Sequence, residues 1–181
     1  MTAATFKSVG ITNIESVPRI SYGAREGFLK GVTDEFAVTT TSIDEIDDII
    51  LIGKINSNAT LVDMEFMNTA IDTDNLLVGN IGLYYSGSGG QQQSDSSKAS
   101  GVVIDADCIA TECAILSGPN TSFSSFRYEA ASVASIDSPA YILGNLTEDP
   151  GGYFYIGFKV TTAAGTPVAG TLSTLITTLE R

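Results

Sequence analysis

The chain contains no histidine and no tryptophan, and its 181 residues include two cysteines and five prolines. Without histidine, the Ser-His-Asp and Cys-His catalytic arrangements and all histidine-containing metal sites are excluded. Cys108 and Cys113 cannot supply the four soft ligands of a structural zinc ion, so we expect two free thiols buried as small hydrophobic side chains. The glycine-rich segment 87–90 lacks the Gly-Lys-Ser/Thr sequence and the following helix of a phosphate loop.

Basic residues are also scarce. Nine Lys and Arg against 21 Asp and Glu give a net charge of −12. Binding to nucleic acid requires clustered Lys and Arg to neutralise phosphates, so the composition argues against a nucleic-acid partner and, equally, against an anionic membrane. No apolar run approaches the ~18 residues of a membrane span, and no signal peptide is visible after Met1.

The few basic residues are unevenly placed. Residues 1–33 contain two acids and four bases, and the rest of the chain contains five bases and 19 acids. The first part shows no sustained periodicity, and Pro18 and three spaced glycines disfavour a helix there. We therefore predict an N-terminal arm over 1–33 and a folded domain over 34–181. The candidate residues for contact with an acidic surface, such as that of a neighbouring subunit, are the four bases of the arm, Lys7, Arg19, Arg25 and Lys30. The alternative is that this number of bases is ordinary for a terminus.

The folded part has the pattern of β-structure. Segments 62–66, 76–85 and 153–160 alternate between apolar and polar residues, and 49–52 is apolar on both faces, as in a central strand. Strong turn sequences such as 149–152 separate short strands at intervals of about 8–12 residues, which predicts a mainly β fold, an antiparallel, jelly-roll-like β-sandwich with one short helix. We place that helix at 107–116 and a short strand at 140–143.

The segment 86–99 is a low-complexity polar sequence, SGSGGQQQSDSSKA. It offers almost nothing to bury, so burial cannot compensate the entropy lost on ordering it. We predict a mobile surface loop that is dispensable for folding.

Acidic clusters are the remaining candidates for chemistry: Asp44, Glu45, Asp47 and Asp48; Asp72 and Asp74; Asp105 and Asp107. Converging carboxylates could bind calcium, or two could act as acid and base on a glycosidic bond. None has the EF-hand spacing, and acids at strand ends are usually solvated turn residues. We therefore expect no metal site, no cofactor and no catalytic residue, and we predict that the chain is not an enzyme.

Two tyrosines on one strand suggest a binding surface. Tyr153 and Tyr155 alternate with apolar residues and are predicted to share the exposed face. Their rings could form a platform for stacking sugars, although packing beneath the arm or at a subunit contact is the favoured interpretation.

Two stretches resemble auxiliary head proteins of tailed bacteriophages. In IDDIILIGKINSNATLVDMEFMNTAIDTDNLLVGNIGLYY, a strand ending in an apolar-Gly-Lys step leads to an "ATLVD" strand, a "DTD" turn and a strand that closes a sheet. VVIDADCIATE is similar to the family's "DAD" segment, and PAYILGNLTEDPGGYFYIGFKVTTAAGTPVAGTLSTLI is similar to its terminal hairpin. The resemblance covers about residues 46–85 and 100–178.

The resemblance implies a β-sandwich that decorates and stabilises the outer surface of a capsid as a cement protein. It implies partners in the major capsid protein and in copies of the chain itself, often as a homotrimer, and a virion location after synthesis in the host cytoplasm. The family has no catalytic residues to transfer. The alternative function is a carbohydrate- or receptor-binding β-sandwich module of a phage head fibre or tail.

Overall fold

A computed structural model describes residues 5–7, 28–114, 120–125 and 138–180. These residues form nine β-strands, a one-turn α-helix and two short 3-10 helices. The strands are β1 (Thr5–Lys7), β2 (Phe28–Val38), β3 (Ile49–Asn56), β4 (Thr60–Asn68), β5 (Val78–Tyr85), β6 (Val103–Cys113), β7 (Asn120–Ser125), β8 (Tyr153–Thr162) and β9 (Gly170–Glu180), and the helix is α1 (Ala140–Leu143).

The strands pair into two sheets. One has five strands in the order β1-β3-β8-β5-β6, and the other has four strands in the order β2-β9-β4-β7. Strand β1 runs parallel to β3, and the other described pairs are antiparallel. The predicted mainly β sandwich is confirmed.

The core lies between the two sheets. The predicted inward face of β8 is confirmed, because Phe154, Ile156, Phe158 and Val160 are all buried there. They meet buried side chains of the opposite sheet: Phe36, Leu61, Met64, Phe66, Leu172 and Ile176. Each such side chain stabilises the fold by about 1.5–3 kcal/mol relative to leaving it in water.

A second, smaller cluster lies on the outer face of the five-stranded sheet. It consists of Leu51, Tyr84 and Tyr155, all fully buried, with Ile49 packed against them. Strand β3 therefore contributes Ile50 to the main core and Leu51 to the outer cluster, which confirms the prediction that 49–52 is apolar on both faces.

The predicted positions of the short helix and one strand are wrong. Residues 107–113, predicted as helix, belong to β6 at the edge of the five-stranded sheet. The register of β6 against β5 shifts three times, so its side chains do not follow the period of two by which a strand is recognised. Residues 140–143, predicted as a strand, form α1, whose first amide donates to the carbonyl oxygen of Ala59 at 2.8 Å.

The expectation that the segment 86–99 has almost nothing to bury is also wrong, whereas its mobility and its dispensability for folding stay predictions. Gly90–Ser94 and Ser96–Lys98 form 3-10 helices, and Gln92 is 2% exposed. The backbone nitrogen of Gln91 donates to the carbonyl oxygen of Pro150 at 2.8 Å. The segment is anchored by buried polar groups, which take the place of the apolar contacts that its sequence lacks.

Parts of the predicted N-terminal arm are strands of the two sheets. Strand β2 begins at Phe28 and pairs with β9 along its full length, so residues 28–33 lie in the four-stranded sheet. Strand β1 joins the edge of the other sheet. Most of the predicted arm lies outside the described residues, and the division into arm and domain stays a prediction. No helix in the described ranges is long and apolar enough to cross a membrane.

Candidate interaction surfaces

Lys7 and Lys30, two of the predicted contact residues, both bind groups of their own chain. Lys7 Nζ donates to Ser100 Oγ at 3.1 Å and lies 5.2 Å from the ring centroid of Tyr155. Lys30 Nζ forms a 2.9 Å ion pair with Glu180. Lys7 lies on the five-stranded sheet and Lys30 on the four-stranded sheet, so the structure does not join them in one patch. Arg19 and Arg25 lie outside the described residues.

The prediction that both tyrosines of β8 lie on an exposed face is wrong. Tyr155 is fully buried between Leu51 and Tyr84, whereas Tyr153 is 37% exposed. Lys54 Nζ lies 5.0 Å from the ring centroid of Tyr153 and 5.5 Å from that of Tyr155, within the range of a cation–π contact. The two rings therefore do not form an open stacking platform. The position of Tyr155 beside Lys7 of β1 fits the favoured interpretation, in which the tyrosines pack beneath the N-terminal arm.

Asp72 is a buried carboxylate that holds two loops together. Its Oδ2 accepts from the backbone nitrogens of Leu76 and Leu77, each at 2.8 Å, and its Oδ1 accepts from Thr166 across the sandwich end at 3.4 Å. Burial alone would raise the pKa of Asp72, but hydrogen bonding outweighs it and holds the pKa below the usual value of 3.8. Asp74 accepts from the same backbone nitrogen of Thr166 at 2.8 Å. This acidic pair has a structural role in the turn.

The acidic loop between β2 and β3 is fixed in a similar way. Asp48 is 1% exposed, and its Oδ2 accepts from the backbone nitrogen of Glu45 at 3.3 Å. Asp47 adopts a φ of 75° and forms a 2.8 Å ion pair with Lys159. Asp44 points to solvent. The carboxylates of this loop do not converge on one point, because Asp48 accepts a backbone hydrogen bond whereas Asp44 faces water.

The third acidic pair lies beside the outer cluster. Burial, together with the neighbouring carboxyl of Asp107, raises the pKa of Asp105. Burial also raises the pKa of Tyr84 well above its usual value, with the nearby Cys108, Asp105 and Asp107 adding to the effect. Among the residues that the structure describes, no group of three or more His, Cys, Asp or Glu side chains could hold a metal ion.

Both cysteines are free thiols, as predicted. Cys113 is buried, and Cys108 is half-buried on β6. Burial raises the pKa of Cys108 well above its usual value, and Asp105 raises it further, which favours the protonated thiol.

Two buried side chains that hold parts of the fold together, Gln92 and Tyr84, were not singled out by the sequence predictions. Gln92 lies in a low-complexity stretch, where no pattern distinguishes it from Gln91 or Gln93. Tyr84 does carry a signal, because adjacent tyrosines in a strand must point to opposite faces, and one of them must then pack outside the main core.

The sequence matches no protein-family model and no curated protein. The fold, in contrast, has solved counterparts. A chain in the capsid of Ralstonia phage GP4 superimposes with a TM-score of 0.60 at 14% identity, over 98% of both chains. The fold is one found in phage capsids. A chain in the capsid asymmetric unit of cyanophage Pam1 superimposes with a TM-score of 0.53 at 11% identity, over 92% of this chain and 95% of that one.

Proposed function

We propose that this chain is a structural protein of a phage virion that decorates and stabilises the outer surface of the capsid. The observation that carries the proposal is the likeness of fold to chains of two phage capsids, which extends over nearly the whole of each chain. The corresponding chains therefore have nearly the same length, and the correspondence is not with one module of a much larger protein. The resemblance of two sequence stretches to auxiliary head proteins supports the same role.

Charge supports an external position over an internal one. A protein that lines the inside of a shell faces packaged DNA, and contact with DNA favours clustered bases. This chain carries a net charge of −12, and three of its five described bases, Lys30, Lys98 and Lys159, are each paired with an acid of the same chain. A protein on the outer surface of a capsid does not face the packaged DNA and needs no clustered bases. The role that we propose is structural and not enzymatic.

The proposed partners are the major capsid protein and further copies of the chain, assembled as a homotrimer. The N-terminal residues remain the proposed contact arm, with Arg19 and Arg25 as its main bases, since Lys7 and Lys30 already bind groups of their own chain. Charges of this kind at a binding surface are expected to influence association rate and register more than final affinity.

The direct test uses particles of the phage that encodes the chain, produced without this protein and emptied of DNA. Purified chain is mixed with the shells, bound protein is measured by co-sedimentation, and the decorated particle is imaged by electron cryomicroscopy. We expect additional density on the outer surface. Shells that bind no protein, or density on the inner surface alone, would overturn the proposal. Binding to glycans without binding to shells would instead support a head-fibre or tail module.

The contribution of the arm is tested with R19E/R25E, which leaves β1 and its contacts in place. We expect weaker binding, most clearly at low salt, because exposed charges are screened beyond about 8 Å at physiological ionic strength. The matched control, R19K/R25K, retains both charges and should bind like the wild type. Equal binding by the reversed and conservative variants would rule out a role for these charges.

A further inference from the structure

Three loops meet at one end of the sandwich, which we call the loop end. They are residues 39–48 between β2 and β3, 69–77 between β4 and β5, and 163–169 between β8 and β9. They share an end because β2, β4 and β8 all finish where β3, β5 and β9 begin, as the antiparallel registers require.

Backbone hydrogen bonds tie the three loops into one surface. The nitrogen of Ala164 donates to the carbonyl oxygen of Ile43 at 3.0 Å, and the nitrogen of Val168 donates to that of Ile71 at 2.8 Å. The loop 163–169 is therefore bonded to both of the others. Asp72 adds the side-chain bonds described above, so the relative positions of the loops are fixed before any partner binds.

Each of the three loops exposes one large apolar side chain. Ile46 is 60% exposed, Leu76 is 53% exposed and Val168 is 38% exposed. Their exposure does not come from poorly packed loops, because Ile43 and Leu77 nearby are fully buried. An apolar side chain that a fixed loop holds in water gains stability only when a partner covers it.

The charged residues of the three loops are all acidic. The three loops contain six acids and no lysine or arginine. Asp44 and Glu45 directly precede Ile46 in the chain and Asp74 lies two residues before Leu76, while Asp47 is paired with Lys159 at the end of β8. The described loops at the opposite end of the sandwich, 57–59, 86–102 and 138–152, contain three acids and one lysine, so among the described loops the acids are concentrated at the loop end.

We propose that the loop end is a docking face for a basic protein surface with apolar recesses that receive Ile46, Leu76 and Val168. The acidic rim disfavours nucleic acid and anionic membranes, because both carry negative charge. The loops are already fixed, so binding orders little additional chain. The inference rests on the proposed function and identifies the partner as the shell. The three apolar side chains supply affinity, and the acids increase the association rate and orient the partner as it approaches.

The test measures binding of the full chain to the emptied shells described above. The variant I46S/L76S is compared with V103S/I142S, which removes two apolar side chains of similar exposure, 50% and 45%, outside the loop end. Each of the exposed apolar side chains of the loop end that becomes buried in the complex should contribute about tenfold in affinity. We expect I46S/L76S to bind at least about tenfold more weakly than the control, with both variants unfolding at similar temperatures.

The charges are tested separately. D44N/E45Q should bind more slowly at low salt and lose part of its salt dependence, whereas E35Q/E148Q, with the same loss of charge at exposed sites elsewhere, should resemble the wild type. If the wild type binds shells and the loop-end variants match their controls, this inference is overturned and the proposed function stands. If the wild type itself does not bind shells, the proposed function is overturned as well.

Discussion

The side-chain nitrogen of Gln92 donates a 2.7 Å hydrogen bond to the carbonyl oxygen of Gly151 and so joins the polar segment 86–99 to the turn before β8. The oxygen of the same side chain accepts from the backbone nitrogen of Ser86 at 3.2 Å. One buried amide therefore pairs with a backbone group at the start of the segment and with another in the turn before β8. This relationship makes the segment part of the folded domain.

We expect Gln92→Ala to lower the free energy of unfolding by about 2 kcal/mol, because the buried nitrogen of Ser86 and the partly buried carbonyl oxygen of Gly151 both lose their side-chain partner. Denaturant unfolding measures the change. Gln93→Ala is the control, since Gln93 is exposed and should unfold like the wild type. An unchanged midpoint for Gln92→Ala would mean that the segment contributes nothing to stability.

Asp72→Asn should weaken the loop end and alter its response to acid. At neutral pH we expect a loss of about 1.5–3 kcal/mol, the usual contribution of hydrogen bonds to a charged group. The folded pKa of Asp72 lies below the usual 3.8, so its contribution is complete above the unfolded pKa and is lost as the pH falls through the folded pKa.

The stability of the wild type should therefore approach that of Asp72→Asn in strong acid. Chemical unfolding at neutral pH and at several acidic pH values gives both curves. The exposed Asp44→Asn should follow the wild type throughout. A constant difference between the wild type and Asp72→Asn at all pH values would contradict this role for the carboxylate.

Gly157→Ala should destabilise the outer cluster by about 1–3 kcal/mol, the usual range for overpacking. An added methyl group would lie 2.7 Å from Cε2 of Tyr84 and 3.1 Å from Cδ2 of Leu51, and both side chains are fully buried. Gly31→Ala is the matched control, because its nearest neighbour, Leu175 Cδ1, would lie 3.5 Å away, an ordinary contact. Thermal unfolding should rank Gly31→Ala at or above the wild type and Gly157→Ala below it; the reverse order would contradict the packing.

Tyr84→Phe should leave stability unchanged or raise it. The Tyr84 hydroxyl is buried and has no hydrogen-bond partner in the described parts of the chain, so removing it relieves an uncompensated desolvation cost. Thr174→Val supplies the contrast, because Thr174 Oγ1 donates to the carbonyl oxygen of Ile52 at 3.0 Å and its loss should cost about 1 kcal/mol. Equal losses in both variants would show that Tyr84 has a polar partner.

The sequence predicts the regular strands well and the irregular ones poorly. Strand β8 alternates without interruption and follows the turn 149–152, in which Gly151 and Gly152 have φ values of 68° and 79° that favour glycine. Strand β6 shifts register repeatedly, and Glu112 within it has a φ of 52°, so no simple period survives in its sequence. The four apolar residues of α1 are too few for periodicity to distinguish a strand from a helical turn.

The interaction surfaces were only partly predictable for a related reason. Charge counts indicate an acidic body, but they do not reveal that Asp72 is buried as a hydrogen-bond acceptor while Asp44 faces water. That difference depends on loops more than 80 residues apart in the chain, such as those containing Asp72 and Thr166. Likewise, the exposure of Ile46 beside the fully buried Ile43 follows from the path of the loop and not from composition.

The place of β9 in the four-stranded sheet affects how the chain is made. Strand β9 lies between β2 and β4 and supplies pairing along all 11 residues of β2. While residues 170–180 are still inside the ribosome, β2 and β4 lack the strand that joins them, and the inner face of that sheet cannot close over the core. Productive folding must therefore follow translation of this strand, and a nascent chain shorter than this is exposed to aggregation and to chaperones.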